Sequence, residues 1–588
     1  MMSLKALWAM RPAHSFWQIW ITITAAAAIC GMVVVRPTTR TASAQPITPI
    51  LTWRHLAPAR TVAALTLLPV FLVSYIAMGL VWEDFAYYDN SAFTLHTLQG
   101  EDFTPGFAQG ELRFWPLGYQ EFNLIRHFTN TNLGYHVLSV VQLLIFSCVL
   151  LVLDVELSFS ARATLTILAL LTPSILISFN GLIYPERNVL FFLVCLALSV
   201  DRFERTQSIA WAGAAMVCAQ IVIYYKETAF LLVLGFAVGR LILRCRGAPD
   251  AVWDYRRLWN RESRLDLCLI SLAALFLLYY AAKMGFYRYF EGINISGTEM
   301  YQANNRVGLA VAAREYLKLD LLAWLFLVVV VGRTYLILRH RVAPSPFWDG
   351  LACGGVACFL AYLYIGLTVI YYLAPVDLIA VLYVGRFAVL SWPKMHPRSK
   401  VIALTLASIT FLQNSVYSAL ALFDRKNLIH GIAEIASVVK MRYRTSGGAT
   451  LRLYFPFARP YQIMQFGGYL HYRGVPVEGA GGEATVLNNV VLETPAVLRD
   501  GPCVSWEMVM CHTATGPAPG DLVILLPDDV ASVVQASVYR EQGELLLSYK
   551  PFPSMLRDLY SLGIPDVIWG FETPDRWMDG SVTLWKEI

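Results

Sequence analysis

Glu83 and Asp84 stand side by side at the end of a long apolar run, with Tyr87, Tyr88 and Asp89 directly behind them. A carboxylate at a half-desolvated boundary suits a general base, provided it is ionised and within reach of the proton it takes. The plainer alternative is a helix end that exposes ordinary polar residues beside interfacial tyrosines. Further along, Arg113-Phe114-Trp115-Pro116-Leu117-Gly118 sets one guanidinium among aromatics, and Glu121, Arg126 and His127 follow closely. An arginine fork matches a phosphate with two parallel hydrogen bonds. An interfacial helix that snorkels its arginine gives the same pattern.

Other charges sit at comparable boundaries. Tyr184-Pro185-Glu186-Arg187-Asn188 is a very short polar link between two apolar runs, and Glu186 and Arg187 either act there or pair with each other. Lys226-Glu227 interrupts another apolar stretch, and charges held at such depth are functional or paired. Arg306 is a looser candidate for holding a phosphate, its alternative being a solvated loop. No CxxC pair, His-x-x-x-His helix, glycine-rich phosphate loop or Gly-x-Ser-x-Gly elbow is present, which argues against a nucleotide-driven pump, a zinc enzyme or a serine hydrolase. No residue set forms a metal cage, and no cofactor is called for.

The elements that position these residues are set by composition. At 588 residues, 57% hydrophobic and 15% charged, with a mean hydropathy of +0.53, the chain is too apolar for a soluble protein and reads as a polytopic membrane protein. Apolar runs lie near residues 16–35, 62–82, 136–153, 162–179, 189–201, 209–224, 228–243, 266–285, 319–337, 348–370, 373–392 and 401–421. Val62 to Val81 alone holds about twenty uncharged residues, roughly 30 Å of helix. The net charge of +5 is spread asymmetrically between loops and forms no nucleic-acid patch.

Loop charge fixes orientation. The Arg/Lys-rich connections are 36–61, 202–205, 240–264, 339–341 and 394–400, which the positive-inside rule makes cytoplasmic. Parity then requires two crossings in 209–243. It also favours an uncleaved first helix at 16–35, although Ala42-Ser43-Ala44 resembles a signal-peptidase site. The outer loops are then 83–135 and 286–318, with short outer turns near Asn180–Asn188, Tyr225–Glu227 and Tyr372. The expected fold is an all-α polytopic bundle of about 11–12 transmembrane helices. Residues 1–61 form an N-terminal extension with one helix, 62–423 the transmembrane domain, and 424–588 a soluble outer α/β domain.

In that last region, strand-like runs (Leu451–Phe455, Leu522–Leu526, Glu544–Tyr549) mix with helix-like ones (Leu428–Met441, Pro460–Leu470). Eight of the ten cysteines lie in or beside apolar runs, where a thiol acts as a small hydrophobe. Cys503 and Cys511 lie in the outer region and are expected to form a disulfide closing a short loop, contributing roughly 2–3 kcal/mol.

The chain resembles the GT-C superfamily of membrane glycosyltransferases, in the branch with protein O-mannosyltransferases and the bacterial lipid A aminoarabinose transferase. The resemblance covers roughly residues 62–423. It rests on an ordered set: Glu83-Asp84, Arg113–Gly118, Pro185-Glu186, Lys226-Glu227 and Tyr371-Tyr372-Leu373-Ala374-Pro375 opening a late helix. It implies inverting transfer of a sugar from a polyprenyl-phosphate donor to an extracytoplasmic acceptor: a cell-envelope glycan, lipid or protein. Asp84 would be the base, with Glu83 in reserve. Arg113, Lys226, Arg187 and Arg306 would contact the donor phosphate, supported by Glu186, Glu227, Tyr88 and His127. Relatives differ in metal dependence. The family often has an arginine just before the late Tyr-x-x-Pro-like element, where this chain has tyrosine, and the helix at 16–35 has no counterpart. The setting implied is a bacterial inner membrane with the site on the periplasmic side, and membrane lipids but no nucleic acid as partners. Rival readings are a transporter or flippase of a lipid-linked sugar, which would need charges or broken helices near the midplane, a non-catalytic assembly factor, and an oligosaccharide ligase.

Overall fold

The computed structural model describes residues 12–35, 58–82, 85, 103, 106–108, 113–246, 255–291, 309–366, 369–446, 451–455, 460–475, 490–494, 503–505, 509–512, 521–525, 543–549 and 582–587. Helices α1 (Pro12–Val34) and α2 (Pro58–Trp82) come first. A small hairpin follows, β1 (Gly106–Ala108) against β2 (Arg113–Trp115), and then the short α3 (Gln120–Ile125). The bundle continues with α4 (Asn132–Leu153), α5 (Phe159–Leu170), α6 (Pro173–Asn180), α7 (Glu186–Thr206), α8 (Ile209–Tyr225) and α9 (Ala229–Cys245). It closes with α10 (Arg261–Glu291), α11 (Leu309–Leu319), α12 (Leu321–Leu338), α13 (Pro346–Ile365), α14 (Ala374–Ser391) and the 49-residue α15 (Pro397–Thr445).

Six segments among the described residues are long and apolar enough to cross a membrane: 132–153, 261–282, 321–338, 346–365, 370–394 and 397–419. The chain is therefore an integral membrane protein. The other apolar runs also fold as helices, but α8 and α9 have 17 residues each and α7 carries charge at both ends. Eleven to twelve spans were expected, and six meet the length and apolarity of a crossing. A seventh is a broken pair: α5 and α6 meet at an angle of 73° at Leu171-Thr172, where the sequence analysis expected one run. Pro173 at the start of α6 has no N–H to continue the ladder of α5, and Ser418 Oγ donates to the Leu171 carbonyl at the break, at 2.7 Å.

Close packing has a specific source. Gly235 and Gly239 of α9 face Gly350 and Gly354 of α13. A Cβ on Gly354 would lie 2.4 Å from the Leu232 carbonyl oxygen, and one on Gly235 would lie 2.7 Å from the Gly354 Cα. Small residues four apart let the two backbones touch, as is common between membrane helices.

Helix α1 belongs to the bundle. Trp20 and Ala27 pack against its main core, and the carbonyls of Val35 and Val34 accept from Arg261 Nε (2.7 Å) and Arg264 (3.1 Å) at the head of α10. Six of the seven arginines expected in the 240–264 loop lie in helices instead: Arg240 and Arg244 in α9, Arg256 and Arg257 in a 3-10 turn at Tyr255–Trp259, and Arg261 and Arg264 in α10. Lys226–Thr228 separates α8 from α9, so 209–243 does form two helices.

Beyond the bundle, β3 (Leu451–Tyr454), α16 (Pro460–Tyr472), β4 (Val490–Thr494), β5 (Cys503–Ser505), β6 (Val509–His512), β7 (Leu522–Leu525), β8 (Gly543–Tyr549) and β9 (Val582–Glu587) follow. They give a seven-stranded sheet in the order β5-β6-β4-β3-β7-β9-β8, parallel at its centre and antiparallel towards both edges. Helix α15 runs through 423–424 without a break, so the boundary drawn there falls inside one helix. A second apolar core joins Ile432, Ile435 and Val439 of α15 to Leu453, Ile463, Phe466 and Leu522, and to Phe85, Phe122, Tyr135 and Leu182 at one end of the bundle.

Candidate functional site

That end of the bundle gathers four of the motifs singled out in the sequence. The Arg113–Gly118 element docks on the end of α8, with the Leu117 N–H donating to the Tyr224 carbonyl at 3.2 Å. Phe114 is fully buried against Tyr224, Phe276, Tyr279 and Tyr280. Gly118 and Tyr119 then turn the chain into α3. A Cβ on Gly118 would strike the Trp115 ring at 2.1 Å, and Tyr119 itself is left-handed with φ 66°. The turn places Glu121 on the inward side of α3.

Glu121, to which the sequence analysis gave no role, is the hub of a polar cluster that holds Arg187, expected there to contact the donor phosphate. Arg187 donates to its Oε1 at 3.1 Å and to Ser139 Oγ, and Asn188 donates to the same carboxylate oxygen. The Tyr225 hydroxyl donates to Oε2 at 3.2 Å, and Gln142 holds Asn188 at 2.7 Å. Arg187 is completely buried and lies over the Phe122 ring, 5.5 Å from its centre. Its charge is answered by Glu121, and Glu186 turns elsewhere, so the two neighbours do not pair with each other.

Glu186 meets Lys226. The two lie 2.9 Å apart with side chains 1% and 7% exposed, and Lys226 Nζ sits 4.1 Å from the centre of the Tyr372 ring. Glu186 Oε2 has no hydrogen-bond donor among the described residues. Tyr184, Tyr371 and Tyr372 meet in tilted ring contacts at 4.4 and 4.6 Å, Tyr372 stacks on Tyr362 at 5.6 Å, and Tyr362 shares a 2.6 Å hydrogen bond with Thr228. These contacts come from the ends of α7, α8, α13 and α14, which is why residues spread over some 190 positions meet. The cluster they make is aromatic and buried, with two cations each held by a carboxylate.

Several expected site residues fall elsewhere. Glu83, Asp84, Tyr88 and Arg306 lie outside the described residues, as does the Arg113 side chain, although its backbone is in β2. Phe85, next after the acidic pair, is buried at the same end, 5.8 Å from the Tyr135 ring and 5.1 Å from the Tyr472 ring of α16. Glu227 is half-buried in the turn after Lys226. His127 is exposed beyond α3. Cys503 and Cys511 are directly opposed in antiparallel register between β5 and β6, with their side chains outside the described residues. Among the described residues, no three His, Cys, Asp or Glu side chains cluster as metal ligands.

The opposite end is built differently. Arg240 and Arg244 both reach Glu204 and Asp266, and Arg386 reaches Asp154 and Glu156. Arg333 pairs with Asp349 at 2.7 Å, and Asp349 also accepts from the Tyr383 hydroxyl at 2.8 Å.

No protein-family model matches the chain, and no curated protein matches it. Among solved structures, the crystal structure of ArnT from Cupriavidus metallidurans bound to undecaprenyl phosphate is similar with a TM-score of 0.41 and 13% identity, over 91% of this chain and 99% of that one.

Proposed function

We propose that this protein is a membrane glycosyltransferase that moves a sugar, with inversion, from a polyprenyl-phosphate donor to an acceptor hydroxyl at the Lys226 end of the bundle. The observation that carries the reading is convergence: Arg113–Gly118, Pro185-Glu186-Arg187, Lys226-Glu227 and Tyr371–Pro375 meet at one end through direct contacts. Phe85 anchors the segment that follows the acidic pair to that same end. In the proposed step, Asp84 takes the acceptor proton as the acceptor oxygen bonds to the sugar's anomeric carbon. The bond from that carbon to the phosphate oxygen breaks, and the lipid phosphate leaves with the electron pair. Lys226, held in place by Glu186 and the Tyr372 face, and Arg113 and Arg306 from the loops, steady the phosphate charge. Arg187 is tied to Glu121, so it positions α3 and the loop before it. The full reading has eleven to twelve spans, a bacterial inner membrane, a periplasmic site and a C-terminal α/β region that selects an envelope acceptor.

The rival is a transporter or flippase of a lipid-linked sugar, a class in which broken helices line the substrate site, and the α5–α6 pair bends by 73°. Purified protein in detergent separates the two, since it has no sealed membrane to transport across. Sugar transfer from lipid donor to envelope acceptor in micelles supports the enzyme. Asp84→Asn keeps the shape and removes the base, so transfer is expected to fall about 100-fold or more while the protein still elutes as folded. Full activity in that variant moves the role to Glu83 or discards the mechanism. A parallel expectation concerns Cys503 and Cys511: mass spectrometry before and after reduction registers the two hydrogens that opening a disulfide adds, and an unchanged mass leaves both as thiols.

A further inference from the structure

Three consecutive residues at the end of α8 each hold a different piece of the Lys226 end. The Tyr224 carbonyl takes the Leu117 N–H at 3.2 Å, and the Tyr224 ring lies 6.2 Å from that of Phe114. The Tyr225 hydroxyl donates to Glu121, and Lys226 meets Glu186. The height and rotation of this one helix, 17 residues long, therefore set all three contacts together.

Helix α1 lies antiparallel along α8. Trp20 meets the Tyr224 ring edge-on, with centroids 6.5 Å apart. Farther along, Gly31 faces Met216 and Gly213 faces Met32, and a Cβ on Gly31 would stand 2.8 Å from Met216 Cγ. Glycine on each side lets the two helices close up. At the Arg240 end, one guanidinium ties both together: Arg261 Nε donates to the Val35 carbonyl at 2.7 Å, and Nη2 donates to the Gln207 carbonyl just before α8 at 3.1 Å. Arg264 Nη1 adds the Val34 carbonyl at 3.1 Å. Carbonyls in the last turn of a helix have no partner within it, and basic side chains there both bond them and oppose the helix dipole. Helix α1 is thus fixed against both ends of α8.

We propose that α1 is a splint for α8 and that Trp20 is a positioning residue for the candidate site. It acts through Tyr224, holding the ring and the carbonyl on which the Arg113–Gly118 element docks. An aromatic edge-to-face pair has a preferred geometry as well as an energy, so Trp20 fixes where the Tyr224 ring sits and not only how well it is buried. The consequence for donor use rests on the proposed sugar transfer; the consequence for the docking of residues 114–118 does not.

Hydrogen exchange of the full chain in lipid nanodiscs, read by mass spectrometry, tests the docking directly. In Trp20→Ala the amides of residues 114–118 are expected to exchange at least about fivefold faster, the scale of one lost aromatic contact. The α9–α13 seam at residues 232–239 should be unchanged, and Trp20→Phe, which keeps an aromatic edge, should restore protection. Gly31→Ala presses α1 away from Met216 far from the site, and it is expected to loosen residues 114–118 as well; it decides the matter if Trp20→Ala does not fold. Unchanged exchange at 114–118 in the folded variants overturns the proposal, and so does a uniform rise across the chain, which would make Trp20 merely structural. In transfer assays Trp20→Ala should raise the apparent KM for lipid donor several-fold with kcat nearly kept, and a lower kcat at unchanged KM overturns the positioning role. Selective loosening without transfer in any form of the protein would uphold the splint and discard the enzyme. An intact mass lacking residues 1–44 overturns the splint outright.

Discussion

At the Arg240 end of the bundle, two guanidiniums and two carboxylates answer one another in a ring: Arg240 and Arg244 each touch Glu204 and Asp266, at distances that include 2.6 and 3.3 Å. At the Lys226 end, pairing is one to one, Glu121 with Arg187 and Glu186 with Lys226, and aromatic faces take the place of a second cation. Glu186 keeps one buried oxygen without a donor there. Both ends bury charge, yet at one each guanidinium meets two carboxylates, whereas at the other Lys226 meets one carboxylate and lies over the face of Tyr372. Burial of a charge alone therefore does not mark a site; the way its partners close around it does.

The comparison breaks most sharply at Arg240. Arg240→Ala leaves Arg244 alone to answer both Glu204 and Asp266 in the core and is expected to cost up to about 3 kcal/mol, read as a lower unfolding midpoint in detergent, with transfer per folded molecule unchanged. Arg240→Met combined with Asp266→Leu should recover most of that loss. A fall in specific activity at full stability would place chemistry at the wrong end. Next in size is Lys226→Ala, which strands Glu186 and removes a cation from the aromatic wall. Pairing it with Glu186→Gln should restore the midpoint while apparent donor affinity stays about tenfold or more weaker, the scale of one lost charge-assisted hydrogen bond. Recovery of both together would make Lys226 structural. Smallest is His127→Ala, expected to move stability by less than about 0.5 kcal/mol and to leave transfer alone, because the side chain is exposed.

Much of the scaffold was legible. Apolar length marked the helices, and charge parity split 209–243 near Tyr225–Glu227, close to the Lys226–Thr228 link where the chain does turn. The strands at 451–454, 522–525 and 543–549 followed from their β-rich runs. The break at Leu171-Thr172 was missed because apolar periodicity does not register a bend, although Thr172-Pro173 was its signal. The Gly235/Gly239 and Gly350/Gly354 spacings likewise announced the α9–α13 seam. In the site, the position of Lys226 at the bundle end was readable, but its partner was not. Glu186 is forty residues away, and only the antiparallel packing of α7 on α8 brings it there. Glu121 was visible as one acid in a polar loop. Its role depends on Ser139, Gln142 and Asn188, polar residues on helix faces that point inward for reasons a linear pattern does not carry.

The unbroken helix from Pro397 to Thr445 bears on how the protein can be taken apart. At about 1.5 Å per residue it is a rod of roughly 70 Å, more than twice the thickness of a bilayer core. Its upper half shares one apolar core with Phe85 and Tyr135. A chain cut at residue 423 loses a whole wall around Phe85 along with its sheet, so truncation is a lesion beside the acidic pair rather than the removal of an accessory. The proposal that this region selects the acceptor is better tested by substitutions on the sheet, or by swapping the region together with residues 85 and 135, than by deletion.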